Sequence, residues 1–296
     1  ASRGLGDVYK RQAIYGPFSI DNDKQNTAIA QDGQTQAMEH AGRTGGLPFV
    51  GTGWYRLSFE VPEFKDNKRC TLVFDGAMSH AQVYINGEKA VYWPYGYNTF
   101  YVDATPFLKK GAKNELAVRL ENQNESSRWY PGAGIYRNVH LIVTEDAHVP
   151  VWGTQVVTDE IGSDYARISQ KTDLEVPTGK SLKDYTLVTE IKDATGRVVA
   201  QNRCSAESAK AQHYTQQFVV ENPQLWTVDT PNLYTSESRI YEGSTLKDTY
   251  TTTFGIRQVK LEAGKGFFLN GKLIKFKGIC QHHDLGALGA EVNMAA

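Results

Sequence analysis

The first part of the chain shows the two-residue alternation of apolar and polar positions that is typical of half-buried β-strands. In GTGWYRLSFEVP the alternate residues from Tyr55 to Val61 share one face. HAQVYINGEKAVYW contains two such runs joined by Asn86-Gly87, a dipeptide typical of a two-residue hairpin turn. RCTLVFDG, NELAVRLEN and RNVHLIVTED continue the series. Short strands spaced by roughly 8–12 residues predict an antiparallel jelly-roll β-sandwich over residues 13–146.

A second β series occupies residues 147–254. DYTLVTEIKDATGRVVAQ predicts a hairpin with its turn between Asp193 and Gly196. HYTQQFVVENPQLW and LYTSESRIYE supply further strands. The block has the size of an immunoglobulin-like sandwich and lacks the Cys–Trp–Cys signature. We therefore predict an immunoglobulin-like β-sandwich without a disulfide.

Residues 255–296 form a shorter third segment. GFFLNGKLIKFKGIC predicts a hairpin at Asn270-Gly271, followed by a strand in which Ile274, Phe276 and Gly278 alternate. A strand needs neighbours to bury its faces, so this segment either joins one of the sandwiches or begins a third domain. No long stretch of the chain has the 3.6-residue apolar period of a helix, and the predicted fold class is all-β.

Composition excludes several classes of protein. The hydrophobic content is 40%, the charged content 22% and the net charge −1, which is ordinary for a soluble globular protein. A near-neutral balance without a basic stripe argues against nucleic acid as a partner. No apolar stretch approaches the roughly 20 residues of a membrane span, so no membrane association is expected. The three cysteines show no metal-ligand spacing, and no cofactor or metal is implied.

The first residues, ASRGLGDVYKRQ, differ from the rest of the chain. They lack the apolar core of a signal peptide and show neither helical nor strand periodicity. We interpret residues 1–12 as an extraneous leader; the alternative is a natural mobile terminus.

Several motifs carry a family resemblance. GTGWYRLSFEVP, LVFDGAMSHAQVYING and SRWYPGAGIYRNVHLIV resemble the N-terminal sugar-binding jelly roll of glycoside hydrolase family 2, which contains β-galactosidases, β-glucuronidases and β-mannosidases. NPQLWTVDTPNLY and TTTFGIRQV resemble the end of its immunoglobulin-like domain. FFLNGKLIKFKGICQHHDLGALGA resembles the start of its catalytic (β/α)8 barrel, so residues 255–296 are expected to be the beginning of a truncated TIM barrel.

The resemblance gives the polar cluster after Cys280 a role. Active sites of such barrels lie at the carboxyl ends of the strands. The resemblance implies that His282 and Asp284 contact the sugar at the subsite where the bond is cut, with His283 a weaker candidate. From the residues alone, a His-His-Asp run is more typical of a solvated loop.

The loop SSRWYPGAG supplies the other candidates, Arg128, Trp129 and Tyr130. The family resemblance implies that this loop reaches the barrel mouth. From the residues alone, Trp129 and Tyr130 are equally well interpreted as core. Some family β-galactosidases have an aspartate about where Arg128 stands, and some place an asparagine on the sugar where this chain has Met78. We expect Met78 simply to pack against its neighbours.

The catalytic chemistry is expected elsewhere. Retaining glycosidases use two carboxyl groups roughly 5–5.5 Å apart, and in this family both come from later barrel strands. Asn124-Glu125 lies in the jelly roll and is rejected as the catalytic Asn-Glu pair. We therefore predict that the chain is the N-terminal part of a retaining exo-β-glycosidase, with a β-galactosidase as the first choice. No catalytic residue is expected in the chain itself, and the isolated chain is expected not to hydrolyse glycosides. The alternative is a stand-alone carbohydrate-binding module.

The expected partner is a β-linked oligosaccharide or glycoside, and a homo-oligomer of the full-length protein is left open. An enzyme that degrades external glycans is expected in the periplasm or outside the cell, with the cytoplasm as the alternative.

Overall fold

The computed structural model describes residues 51–61, 67–123, 133–204, 209–210, 213–279 and 295 of the 296-residue chain. Their regular structure consists of twenty β-strands and two single-turn 3₁₀ helices, Thr105–Phe107 and Leu182–Asp184. The described residues contain no α-helix, and the predicted all-β fold class is confirmed. None of their segments forms a helix that could cross a membrane.

The described residues divide into two compact units, residues 51–143 and Thr144–Ile279. The strands of the first unit are β1 (Gly51–Val61), β2 (Lys68–Phe74), β3 (Ala77–Met78), β4 (Ala81–Ile85), β5 (Glu88–Trp93), β6 (Phe100–Asp103), β7 (Ala112–Asn122), β8 (Gly134–Ile135) and β9 (Val139–Glu145). They form sheets in the orders β1-β7-β4-β5, β6-β2-β9 and β3-β8. Strand β2 pairs antiparallel with β6, and the pairings in the other two sheets are also antiparallel.

One apolar core fills the first unit. Inward-facing residues of both larger sheets contribute to it, including Phe74, Val83, Phe100 and Val118, and the Phe74 and Phe100 rings stack at 4.8 Å. The alternation predicted for β1 is only partly realised, because Leu57 remains 36% exposed. Strand β1 lies at the edge of its sheet, where fewer neighbours are available to cover a side chain.

The second unit begins with a two-sheet sandwich. Its strands are β10 (Thr154–Ile161), β11 (Tyr165–Asp173), β12 (Tyr185–Lys192), β13 (Val198–Cys204), β14 (Ala209–Lys210), β15 (His213–Glu221), β16 (Tyr234–Glu242) and β17 (Thr245–Phe254). The sheet orders are β10-β11-β15-β14 and β13-β12-β16-β17. The hairpin predicted between Asp193 and Gly196 joins β12 to β13.

A third small sheet follows in the same unit, formed by β18 (Val259–Glu262), β19 (Gly266–Leu269) and β20 (Lys272–Ile274). Asn270 and Gly271 both have positive φ, as the predicted hairpin turn between β19 and β20 requires. The predicted continuation of this strand to Gly278 is wrong, because β20 ends at Ile274 and residues 275–279 carry no regular structure. Phe276 touches the Phe267 ring but is 72% exposed. No described strand pairs with the segment after Ile274, so no pairing holds it extended.

The predicted boundary after Asp146 lies close to the division between the two units. The separate third domain from residue 255, and the leader over residues 1–12, stay predictions.

Candidate functional site

The six site residues predicted from the sequence lie outside the described residues. They are Arg128, Trp129, Tyr130, His282, His283 and Asp284. For Arg128, Trp129 and Tyr130, the structure describes the residues of the first unit that flank the segment 124–132.

Both ends of that segment adjoin the same corner of the first unit. Strand β7 ends at Asn122, which pairs with Gly51 at the start of β1. On the other side of the segment, Ala133 precedes β8, where Gly134 pairs with Met78 of β3. A small cleft lies between these strand ends, lined by Gly51, Gly53, Tyr55, Met78, Leu120, Asn122, Ala133 and Gly134. Two of the segments that carry the family resemblance, around Met78 and around Tyr136, thus meet in the fold.

Tight packing fixes this corner. Met78 and Tyr136 are both buried and contact each other. The Tyr136 hydroxyl donates a hydrogen bond to the carbonyl of Gly96 at 2.8 Å. Gly96 and Gly76 allow this close approach, because a Cβ on Gly96 would lie 2.3 Å from Met78 Sδ and a Cβ on Gly76 would lie 2.6 Å from Tyr136 Cζ. Met78 acts as a packing residue, as expected from the sequence.

The Tyr136 phenol is protonated, and therefore a hydrogen-bond donor, over a wide pH range. Burial raises the pKa of its phenol, and the Arg137 guanidinium, 5.2 Å from the ring centroid, opposes that rise. The hydroxyl thus stays protonated at neutral pH and holds the loop that contains Gly96. Tyr136 therefore positions the corner through packing and this hydrogen bond.

The cleft itself is small. The described residues leave about 10 Å³ of space for solvent, which corresponds to one water molecule and is far too little for a sugar ring. A sugar pocket therefore needs further residues besides these. Asn122 is the polar side chain at the cleft that sequence reasoning missed. The sequence pattern that could have found it is the alternation in NELAVRLEN. Leu116, Val118 and Leu120 face inward, and Asn122 continues the same face with a polar amide.

A carboxylate–imidazole pair lies near the same corner. His140 Nε2 is 2.9 Å from Asp75 Oδ2, and both side chains are about one-third exposed. The Asp75 backbone also accepts a hydrogen bond from Thr99 Oγ1 at 3.4 Å and donates one to Asn138. No sequence pattern indicates this pair, because the two residues are 65 positions apart.

A close pair of carboxylates occurs in the second unit, where Glu190 on β12 lies opposite Glu237 on β16. Lys192 Nζ lies 2.8 Å from Glu237 and 3.5 Å from Glu190, and Arg239 contacts both. The hydrogen bond from Lys192 lowers the pKa of Glu237, with the Arg239 charge acting in the same direction. A retaining glycosidase needs one carboxyl group that carries a proton, so this ion-paired cluster is structural.

Within the described ranges no group of three or more His, Cys, Asp and Glu side chains is placed to hold a metal ion. The described side chains of the corner around Met78 and Tyr136 supply packing and hydrogen bonds that hold the neighbouring backbone in place.

Both units match models of the same protein family. Residues 44–145 match the model for the sugar binding domain of glycosyl hydrolases family 2, and residues 148–257 match a second model for glycosyl hydrolases family 2. Together these models cover most of the chain.

Similar proteins extend well beyond the chain. It is 42% identical over 287 residues to the beta-galactosidase BoGH2A of Bacteroides ovatus, covering 95% of this chain and 34% of that protein. It is 32% identical over 251 residues to a beta-glucuronidase of Formosa agariphila, covering 77% of this chain and 26% of that protein. The chain thus spans between about a quarter and a third of the length of these relatives.

Solved structures show the same fold. A glycosyl hydrolase family 2 member from Bacteroides cellulosilyticus superimposes with a TM-score of 0.79 at 32% identity, covering 93% of this chain and 34% of the other. A beta-glycosidase from Bacteroides vulgatus gives a TM-score of 0.75 at 29% identity, covering 93% of this chain and 34% of the other. On its sequence motifs, its fold and these matches, the chain belongs to glycoside hydrolase family 2.

Proposed function

We propose that the protein containing this chain is a retaining exo-β-glycosidase that releases terminal β-linked galactose. In this proposal the first unit borders the substrate site, and the catalytic carboxyl pair lies in another part of the protein. The observation that carries the proposal is the 42% identity to a beta-galactosidase over 95% of the chain.

The described geometry supports a bordering role. The first unit holds a tightly packed corner around Met78 and Tyr136, and the described residues on either side of segment 124–132 lie at that corner. A rigid support is needed for a loop that contributes to substrate binding, because small displacements of binding groups reduce catalysis strongly. Arg128, Trp129 and Tyr130 are the proposed contacts from this loop, and His282 and Asp284 are the proposed contacts at the reacting sugar, with His283 beside them.

The alternative of a stand-alone carbohydrate-binding module is not favoured. The similar proteins named above are glycosidases, and the similarity runs through both units rather than through the first alone. β-Glucuronide hydrolysis is the second candidate, since the relative from Formosa agariphila is a beta-glucuronidase. An arginine at position 128 suits a sugar carboxylate, because a guanidinium binds carboxylates through paired hydrogen bonds.

A substrate panel separates these candidates. The whole protein is assayed with the 4-nitrophenyl β-D-galactoside, β-D-glucuronide and β-D-mannoside, beside the 296-residue chain. We expect the galactoside to have the highest kcat/KM and the 296-residue chain to release no nitrophenol. A glucuronide preference would replace galactose as the substrate, and turnover by the 296-residue chain at the rate of the whole protein would overturn the assignment of the catalytic pair.

A substitution tests the site. In the whole protein, Asp284→Ala should reduce kcat/KM about 100-fold, roughly 3 kcal/mol, because a charged hydrogen-bond acceptor is removed and its partner is left unpaired. Asp229→Ala, at an exposed aspartate of the second unit, is the matched control. Unchanged kinetics in the Asp284 variant would remove this residue from the site.

A further inference from the structure

The outer face of the sheet β1-β7-β4-β5 carries an ordered row of aromatic and polar side chains. Strand pairing places Trp54 opposite Arg119, Arg119 opposite Gln82, and Gln82 opposite Tyr92. The row therefore crosses all four strands of the sheet, and neighbouring strands are about 4.8 Å apart, so its ends are separated by roughly 14 Å. We call the surface formed by Trp54, Gln82, Tyr84, Tyr92 and Arg119 the aromatic face.

The aromatic residues of this face are accessible. Trp54 is 48% exposed and Tyr92 is 46% exposed. The Trp54 and Tyr84 rings lie 5.7 Å apart across strand β7, where the outward residue is the small Ala117. Large aromatic side chains on the solvent side of a sheet contribute nothing to its core, so their clustering indicates a binding surface.

The polar groups between the rings are held in place. Arg119 donates to Glu121 at 3.0 Å and to Thr52 Oγ1 at 3.3 Å, and its side chain is only 24% exposed. The Tyr84 hydroxyl donates to Gln82 Oε1 at 2.9 Å. At the far end of the row, the Tyr92 hydroxyl is 2.7 Å from His80 Nδ1. Hydrogen-bonding groups with fixed positions lose little conformational entropy when a ligand binds.

We propose that the aromatic face binds a β-linked oligosaccharide of about three sugar units, with sugar rings stacked on Trp54 and Tyr92 and hydroxyls bound by Arg119 and Gln82. The C–H bonds on the face of a β-linked pyranose are weakly positive, and an aromatic face is negative, so the two attract. A row of roughly 14 Å fits about three sugar rings. This site goes beyond the proposed function, because it holds a part of the glycan that does not react.

The charge distribution favours an oligosaccharide over a second copy of the chain. The centres of protein interfaces are depleted of charged residues, of glutamate, aspartate and lysine in particular. Arg119 of the aromatic face forms an ion pair with Glu121, and the Arg56–Glu115 pair lies beside the face. The match of residues 44–145 to a sugar binding domain also fits a glycan as the occupant.

Two cations have to move when a sugar binds. Arg56 lies 5.5 Å from the centroid of the Trp54 ring, and Lys89 lies 5.5 Å from that of Tyr92. The Arg56–Glu115 pair is 63% and 54% exposed, and exposed ion pairs contribute little to stability, so a ligand displaces them easily.

Isothermal titration calorimetry on the 296-residue chain tests the site, with β-1,4-galactotetraose and cellotetraose as probes. We expect at least one probe to bind, and Trp54→Ala or Tyr92→Ala to weaken binding by about tenfold or more, as for the loss of a central contact residue. Tyr92→Phe keeps the ring and should retain most of the affinity. Tyr101→Ala is the matched control, because Tyr101 is 45% exposed on β6 of the other sheet.

Far-UV circular dichroism checks that each variant is folded. The proposal is overturned if neither probe binds, or if the Trp54 and Tyr92 variants bind like Tyr101→Ala. It is also overturned if these variants change the sedimentation coefficient of the chain without a loss of glycan binding, since the face would then be an interface between copies. The assay measures binding alone, so it is independent of whether the proposed hydrolysis is correct.

Discussion

Individual side chains fix the local geometry at several turns, and Asp193 is the clearest case. Its carboxylate accepts hydrogen bonds from Thr195 N at 2.9 Å, Thr195 Oγ1 at 2.6 Å, and Arg197 N and Nε at 3.1 and 3.0 Å. These bonds, with that of the Thr195 hydroxyl the strongest, lower the pKa of Asp193 from 3.8 to about 2. The carboxylate thus closes the β12–β13 hairpin.

The lowered pKa of Asp193 predicts a pH-dependent contribution to stability. Because the folded protein binds this proton more weakly than the unfolded chain does, the contribution is present above pH 3.8 and is lost as the pH falls towards about 2. Asp193→Ala should therefore lower the free energy of unfolding at pH 7, and the difference from the parent chain should shrink in acid. Urea denaturation across this pH range measures it, with Asp229→Ala as the control. A deficit that does not change with pH would show that the charge of Asp193 is irrelevant.

Gly96 predicts a second effect at the scale of single residues. Its backbone lies outside the positive-φ region, so the obstacle to alanine is contact with Met78, whose Sδ would be 2.3 Å and whose Cα would be 3.1 Å from the new Cβ. Gly96→Ala should destabilise the chain by about 1–3 kcal/mol through overpacking. Adding Met78→Ala should recover part of this loss.

Thermal unfolding of the Gly96 variant, the Met78 variant and the double variant measures the coupling. Gly278→Ala is the control, because nothing lies within 4 Å of a Cβ built there. Additive losses in the double variant would mean that Gly96 and Met78 do not form one packed corner.

At the scale of elements, the sandwich of the second unit is divided by a buried polar layer. Polar inward residues, one on β12, one on β15 and two on β16, separate members of two apolar clusters. The layer consists of Gln170, Thr172, Thr189, Gln216, Ser236 and Ser238. Gln170 donates to Ser238 Oγ at 2.9 Å and to Thr172 Oγ1 at 3.0 Å, and Thr189 donates to Gln216 Oε1 at 2.7 Å. The bonds Gln170–Ser238 and Thr189–Gln216 cross between the two sheets and specify their register.

Replacing the central member of this layer should be costly. Gln170→Leu leaves buried hydroxyls without partners and should lower the free energy of unfolding by about 2–3 kcal/mol. Gln217→Leu is the matched control, because Gln217 points to solvent on the paired strand β15. Urea denaturation measures both variants. Equal stability of the two would show that the polar layer can be replaced by apolar packing.

The segment after β20 predicts the opposite behaviour. Residues 275–279 have no strand pairing, and Ile279 is 88% exposed. Their amides should exchange with deuterium much faster than those of β7 from Leu116 to Leu120, which lie in a paired strand over the core. Hydrogen exchange followed by mass spectrometry compares the two peptides in one sample. Protection of residues 275–279 equal to that of β7 would show that this segment belongs to a folded element.

At the scale of the whole molecule, each unit contains its own apolar clusters. The all-β class and the hairpins at Asn86-Gly87 and Asn270-Gly271 could be predicted, because alternation and turn dipeptides act over a few residues. The pairing of Met78 with Gly134 and the polar layer could not, because they join residues far apart in the sequence without a periodic pattern. The strand pattern predicts that Phe276 is buried, but its side chain is exposed. A strand pattern leads to burial only if neighbouring strands cover the side chain.

The stereochemistry of hydrolysis tests the central claim most directly. The whole protein is incubated with 4-nitrophenyl β-D-galactoside, and ¹H NMR follows which galactose anomer appears before mutarotation. A retaining enzyme with two carboxyl groups roughly 5–5.5 Å apart passes through a glycosyl-enzyme intermediate, so we expect β-galactose first. The appearance of α-galactose first, or no release of galactose at all, would contradict the proposal that this chain belongs to a retaining β-galactosidase.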